Sequence, residues 1–336
     1  MTRPTSCSRN ARAVAWLLLA AATAVLAAAC GSDPQPSATS AVPADAAPST
    51  SALARVALPR AVGALDIVGT EYTFDLQATD AAGRPVDLAG GDALPSGWTH
   101  VSFHNEGEEA HQVMFAHLKE GVDLAELADT AGGDSSGSAA IEFVDMLGGV
   151  SYIGPGQSIE ALVELPPGMV LAMCYVPDAH GVAHALMGMT TTLTVAEPTG
   201  TAATGEDGEA VVGTIEMAPD GYVLPDELPP GWYHVVNRDP GEAGAAGTGL
   251  HELAVMGLDE PVDDEGLAQL LDDLAVNATP AVDLVALGGM GALSAGFDAY
   301  LHLDLEPGPH LAVDFMPDPG EPRPHLLDGY ATPFEA

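Results

Sequence analysis

Seventeen residues, Met173 to Met189, concentrate the atoms in this chain best suited to bind a soft metal. The run M-C-Y-V-P-D-A-H-G-V-A-H-A-L-M-G-M carries Cys174, His180, His184, Met187 and Met189. A thiolate, an imidazole and a thioether from one loop make a soft donor set that suits copper. A further histidine, His111, closes the segment H-N-E-G-E-E-A-H, where a strand should meet a corner. Chemistry therefore requires a scaffold that brings His111 to the later loop.

Three cysteines occur in all. Cys7 lies in an N-terminal segment with Arg3, Arg9 and Arg12 ahead of an apolar run, Ala13 to Ala29, which reads as a secretory signal over residues 1–29. The ending L-A-A-A-C-G-S resembles the lipobox of bacterial lipoproteins, with Leu26 one place further from Cys30 than the commonest pattern. That resemblance implies a lipid on Cys30 and a chain anchored outside the cytoplasmic membrane. The remaining thiol, Cys174, then has no intramolecular disulfide partner. It is either a buried small hydrophobe or a ligand.

Nine basic residues face 48 acids, a formal net charge of −39, and Lys119 is the only lysine. Such a surface repels nucleic acid and anionic lipid, so neither is expected as a charge-recognised partner. Residues 30–62 are rich in Ser, Ala, Pro and Thr and read as a flexible tether; 197–210 read as a linker.

The two segments between and beyond, 63–196 and 211–336, repeat one another. L-P-S-G-W-T-H at Leu94–His100 recurs as L-P-P-G-W-Y-H at Leu228–His234. L-G-G-V at Leu147–Val150 recurs as L-G-G-M at Leu287–Met290, and L-P-P-G-M-V-L-A-M-C-Y-V-P-D recurs as L-E-P-G-P-H-L-A-V-D-F-M-P-D. A period of this length marks a duplicated domain. Alternating apolar and polar residues predict strands over Thr70–Gln77, Trp98–His104, Gln112–Phe115, Ser158–Glu164, Met169–Tyr175 and Met189–Val195. Leucines at helical spacing predict helices within Val122–Ala128 and Val262–Val276. The expected class is all-β: two tandem Greek-key β-sandwiches, each with a short helical insertion.

A histidine after an N-x-G corner, followed by a late Cys-His-Met loop before the last strand, resembles the cupredoxins, the blue-copper β-sandwiches. Carried over residue by residue, the resemblance implies copper in the first half held by His111, Cys174, His184 and Met189. It implies one-electron transfer or copper holding, with a redox or copper-exchange partner protein. The family's loop histidine follows its cysteine by only a few residues, whereas His184 lies ten beyond Cys174. Either the insert Y-V-P-D-A-H-G-V-A returns His184 to the site, or His180 takes its place, or no metal binds. The competing function is a metal-free pair of sandwiches acting as a binding or scaffolding module of the cell envelope.

In the second half the corresponding residues are His251, Asp314, His325 and Tyr330. The soft donors are gone; two histidines and an aspartate suit a harder ion such as Zn(II) or Cu(II), or else the copy is kept for its fold. His302 and His310 read as exposed strand histidines. No Walker loop, H-E-x-x-H or CxxC is present, and no H-x-H pair of the kind a multicopper oxidase needs. The expectation is that the chain is not an enzyme.

Overall fold

A computed structural model describes residues 57–133, 138–198, 206–241, 249–318 and 323–336. Cys30 and the stretches read as signal and tether, up to residue 56, lie outside the described residues. In the first half, Gly63–Thr70 and Thr73–Asp80 form an antiparallel hairpin, and Gly97–Asn105 runs parallel to the first of these and antiparallel to Ser158–Leu165. The facing sheet carries His111–Leu118, Val144–Ile153, Gly168–Met173 and Thr190–Ala196. The second half repeats the plan with Glu206–Ala218, Gly231–Asn237 and Asp298–Leu303 against His251–Leu258, Leu284–Leu293, Pro309–Val313 and Ala331–Glu335. Each half is a β-sandwich whose first long strand runs parallel to a later one of the same sheet, Gly97–Asn105 in the first half and Gly231–Asn237 in the second.

Strand Gly97–Asn105 alternates buried and half-buried residues, as one inward face requires. By contrast, His111–Leu118 is buried on both faces. Val113 and Phe115 enter the core between the sheets, while Met114 and Ala116 face a second apolar group that includes Leu127 and Ile141. The helix Leu124–Ala131 supplies that cover, and Asp264–Ala275 does the same in the second half through Leu270. Both begin at an aspartate whose carboxylate accepts a first-turn N–H: Asp123 from Ala125 at 2.7 Å, Asp263 from Gly266 at 2.9 Å.

The repeated L-G-G has a steric reason. Gly149 and Gly289 hold φ of +127° and +132°, and a Cβ there would meet the carbonyl oxygens of Val113 and Leu253. Only glycine lets the neighbouring strand, which carries the first site histidine, approach so closely.

The two halves are hydrogen-bonded to each other. Leu287, Met290 and Leu293 pair with Ile153, Val150 and Leu147, and Tyr300–Leu301 pair with Leu162–Ala161. Val150 thus meets its own repeat equivalent, Met290, and the pairing is symmetric about that point. One sheet of ten strands and one of nine run through both halves, around one central core.

Several expectations shift. The strand expected at Thr70–Gln77 is broken by a turn at Glu71–Tyr72, with Tyr72 at φ +61°; an alternating pattern does not reveal a hairpin when an aromatic residue fills the left-handed position. Ala57–Pro59, inside the stretch read as tether, is a strand paired with Glu206–Ala218, whose start lies inside the stretch read as linker. His310 is buried, not exposed, because the final strand stacks Phe334 on its ring. His302 is half-buried, its ring against Trp232.

Candidate metal centre

The site begins at Asn105, the buried last residue of its strand. Its side-chain NH2 donates to the carbonyls of Glu109 (2.8 Å) and Ile153 (2.9 Å), and its Oδ1 accepts from Gly107 N–H (2.9 Å). These three bonds fold the N-E-G-E-E corner back on itself and deliver His111 to the start of the next strand. Gly107 lies over the ring: a Cβ there would come 2.7 Å from His111 Nε2.

Cys174 follows the strand Gly168–Met173, and its N–H donates to the carbonyl of Met189 (3.1 Å). The ten-residue gap to His184 is a short closed excursion. Asp178 Oδ1 accepts the N–H groups of His180 (2.8 Å) and Val182 (2.9 Å), and Gly181 takes φ +77°. The two arms of the excursion close through His184 N–H to Val176 O (2.9 Å) and Ala185 N–H to Cys174 O (2.7 Å). From the second half, Asn277 donates to the Asp178 carbonyl (3.3 Å). His184 is thereby returned to the cysteine, while His180 points outward and is exposed.

His111, Cys174, His184 and Met189 are all fully buried. His111 Nδ1 and His184 Nδ1 lie 3.2 Å apart, and Cys174 Sγ lies 3.6 Å from His184 Nδ1. All three atoms fall within 4.8 Å of one another. Ligands bound at about 2.0–2.3 Å around one ion are separated by comparable distances. Met189 packs in an apolar group with Cys174 and Val176, bounded by Tyr72, Phe74 and Tyr152. A Cβ on Gly69 would meet its methyl at 3.3 Å.

Burial pushes the His111 pKa down to about 4, and the facing His184 adds to this; burial likewise lowers His184, against the pull of Glu109. Both rings are therefore neutral at pH 7, the form that binds metal. The Cys174 thiol is pushed up to about 12 by burial, although the N–H groups of Gln112 and Val176 point at its sulfur and work the other way. On the outer edges of the rings, Glu109 Oε2 lies 3.1 Å from His184 Nε2, off the line of a good hydrogen bond, and Glu71 Oε1 lies 3.9 Å from His111 Nε2. The residue types alone do not point to either glutamate; only the folded corner and hairpin turn place them there.

The second half repeats the corner latch and the backbone bonds of the central residue. Asn237 donates to Gly249 O (2.6 Å) and Leu293 O (2.7 Å) and accepts from Asp239 N–H (3.0 Å). Asp314 N–H donates to Tyr330 O (3.1 Å), and Leu326 N–H to Asp314 O (2.8 Å). The contents differ. Asp314 Oδ2 accepts from His251 Nδ1 (2.7 Å) and His325 Nδ1 (3.0 Å), while Oδ1 accepts from Met316 N–H (2.8 Å). Tyr330 stacks on His251 with ring centroids 3.8 Å apart. For His325, burial lowers the pKa but the Asp314 hydrogen bond and charge outweigh it, and the net direction is up.

No protein-family model matches the chain, and no curated protein is similar to it in sequence. Among solved structures, a dithionite-reduced auracyanin from Roseiflexus castenholzii is 20% identical and matches 41% of this chain and 100% of its own, with a TM-score of 0.27. A multicopper oxidase is 15% identical over 81% of this chain and 88% of its own, TM-score 0.21. A copper nitrite reductase from Nitrosomonas europaea is 14% identical over 81% and 92%, TM-score 0.21. The two halves have the all-β sandwich architecture expected from the sequence. A β-sandwich architecture does not carry the expectation of a non-enzyme. That expectation is corrected here, because an oxidase and a nitrite reductase, both enzymes, are among the matched structures.

Proposed function

We propose that this chain is a membrane-anchored, extracytoplasmic cupredoxin-like protein that binds one copper ion in its first half. His111 Nδ1, Cys174 Sγ and His184 Nδ1 hold the ion, with the Met189 thioether beside them, and the protein serves one-electron transfer or copper holding. One observation carries this reading. Two imidazole nitrogens and a thiol, brought from two separate parts of the chain, converge where all three side chains are fully buried. Copper, when bound, supplies a Cu(I)/Cu(II) couple that this donor set suits.

The chain's own contribution is rigidity. Asn105 fixes the corner bearing His111, and Asp178 fixes the excursion bearing His184, so neither ring needs to move for the ion to be gripped. The N–H groups aimed at Cys174 Sγ stabilise the thiolate that binding creates. A lipid on Cys30 provides the anchor, and a redox or copper-exchange protein is the partner.

Adding Cu(II) to the purified, metal-free protein tests the site. The expected result is an intense visible thiolate-to-copper absorption at one ion per chain, absent in Cys174→Ser. A colourless protein that retains no copper refutes it. Incorporation of radioactive fatty acid, expected in the native chain and lost in Cys30→Ser, tests the anchor.

A further inference from the structure

The second half contains its own convergent cluster, His251, Asp314 and His325, whose ligand atoms lie within 4.8 Å of one another and are buried. Asp314 is fully buried, and among the described residues the ion pairs of Asp239, Asp314 and Asp318 all run to these two histidines. Three carboxylates thus share two imidazoles. A buried carboxylate needs positive charge nearby to offset its lost hydration. Both rings turn Nδ1 to a single oxygen, Asp314 Oδ2.

The outer edges of the rings carry a second, independent sign. His251 Nε2 lies 2.9 Å from Asp239 Oδ2, and His325 Nε2 lies 3.5 Å from Asp318 Oδ1. A carboxylate on the far nitrogen is the usual companion of a metal-bound imidazole. It holds the remaining proton there, frees the near nitrogen as ligand, and raises its basicity. Asp239 occupies the corner position that Gly107 takes in the first half, each donating its N–H to the corner asparagine.

The geometry points to a second metal site, in which His251 Nδ1, His325 Nδ1 and Asp314 Oδ2 hold one divalent cation of borderline hardness, of the Zn(II) class. Two imidazoles and a carboxylate, with the thiolate and thioether replaced by Asp314 and Tyr330, match that class and disfavour Cu(I). Tyr330 is not a ligand: its hydroxyl donates to Ala218 O (2.6 Å) and its ring covers His251. On binding, each ring keeps its proton on Nε2, facing Asp239 or Asp318.

Calorimetric titration of the metal-free full-length chain with Zn(II) tests this. The expected result is one binding event near one ion per chain that survives Cys174→Ser and is weakened at least tenfold by Asp314→Asn. Co(II) should add weak visible bands with no thiolate charge transfer in the Cys174→Ser chain. Should Asp314→Asn not fold, Asp239→Asn leaves all three ligands in place and is expected to weaken Zn(II) by roughly 10–100-fold. No Zn(II) event in the Cys174→Ser chain, or an event unchanged by Asp314→Asn, or, where that variant fails to fold, by Asp239→Asn, overturns the site. The first half's copper absorption is read separately, so failure of one site is distinguishable from failure of the other.

Discussion

The two halves hold their centres in the same frame yet treat charge in opposite ways. In both, an asparagine latches a corner, a strand-end residue exchanges backbone bonds with a loop, and two histidines turn Nδ1 towards one centre. With Cys174 between the rings, the interior is apolar and the imidazoles are driven neutral. With Asp314 there, the rings become donors to a carboxylate, and further aspartates line their outer edges. The residue at the centre differs while its backbone bonds stay the same: Cys174 and Asp314 each donate to the carbonyl of Met189 or Tyr330 and each accept from the loop, through Ala185 or Leu326.

The largest expected effect comes from exchanging the central residue. Cys174→Asp should abolish the thiolate-to-copper absorption completely and leave a site that prefers Zn(II) over Cu(I); persistence of the visible band would break the comparison. Next in size is Gly107→Ala. The new methyl would sit 2.7 Å from His111 Nε2 and 2.5 Å from Glu71 Oε1, so the corner must move. Overpacking of this kind costs about 1–3 kcal/mol, to be read as a lower denaturation midpoint with weakened copper binding.

Acid titration sharpens the contrast further. Unfolded, His111 takes its proton near 6.5, but folded only near 4, so the metal-free protein should lose stability as pH falls from 6.5 towards 4. His325 moves the other way: its raised pKa contributes stability that is present below 6.5 and lost as pH rises through the folded value. Imidazole proton shifts followed by NMR should show His325 protonated at a pH where His111 is already neutral. Copper uptake should also release one proton from Cys174, whose thiol is protonated at neutral pH, measurable with a pH indicator in weak buffer. The smallest effect is none: His180→Ala should leave the copper absorption unaltered, because that ring is exposed and outside the site.

Much of this was readable along the chain. The repeat, the strands bracketing Cys174, the two helices and the donor types all depend on local pattern, and Asp123 and Asp263 mark the helix starts. The fate of His184 was not, because ten residues of spacing fix no path. Asp178 settles it by binding two N–H groups at once. Nor does the sequence reveal that Val150 pairs with Met290, since a buried strand reads the same whether its neighbour is near or far in the chain. The acids around the rings were hidden among the chain's 48 acidic residues. Only the corners and the hairpin turn single out Glu71, Glu109 and Asp239.

The symmetric meeting of Val150 with Met290 bears on how such a chain arises. It is an isologous contact, the kind that two identical subunits make with each other. A single half paired with its own copy would present Val150 to Val150 and carry two identical centres. Fusion of the two copies into one chain lifts that enforced identity: one centre can keep its thiol while the other is free to change, and neither loses the partner that completes its sheets.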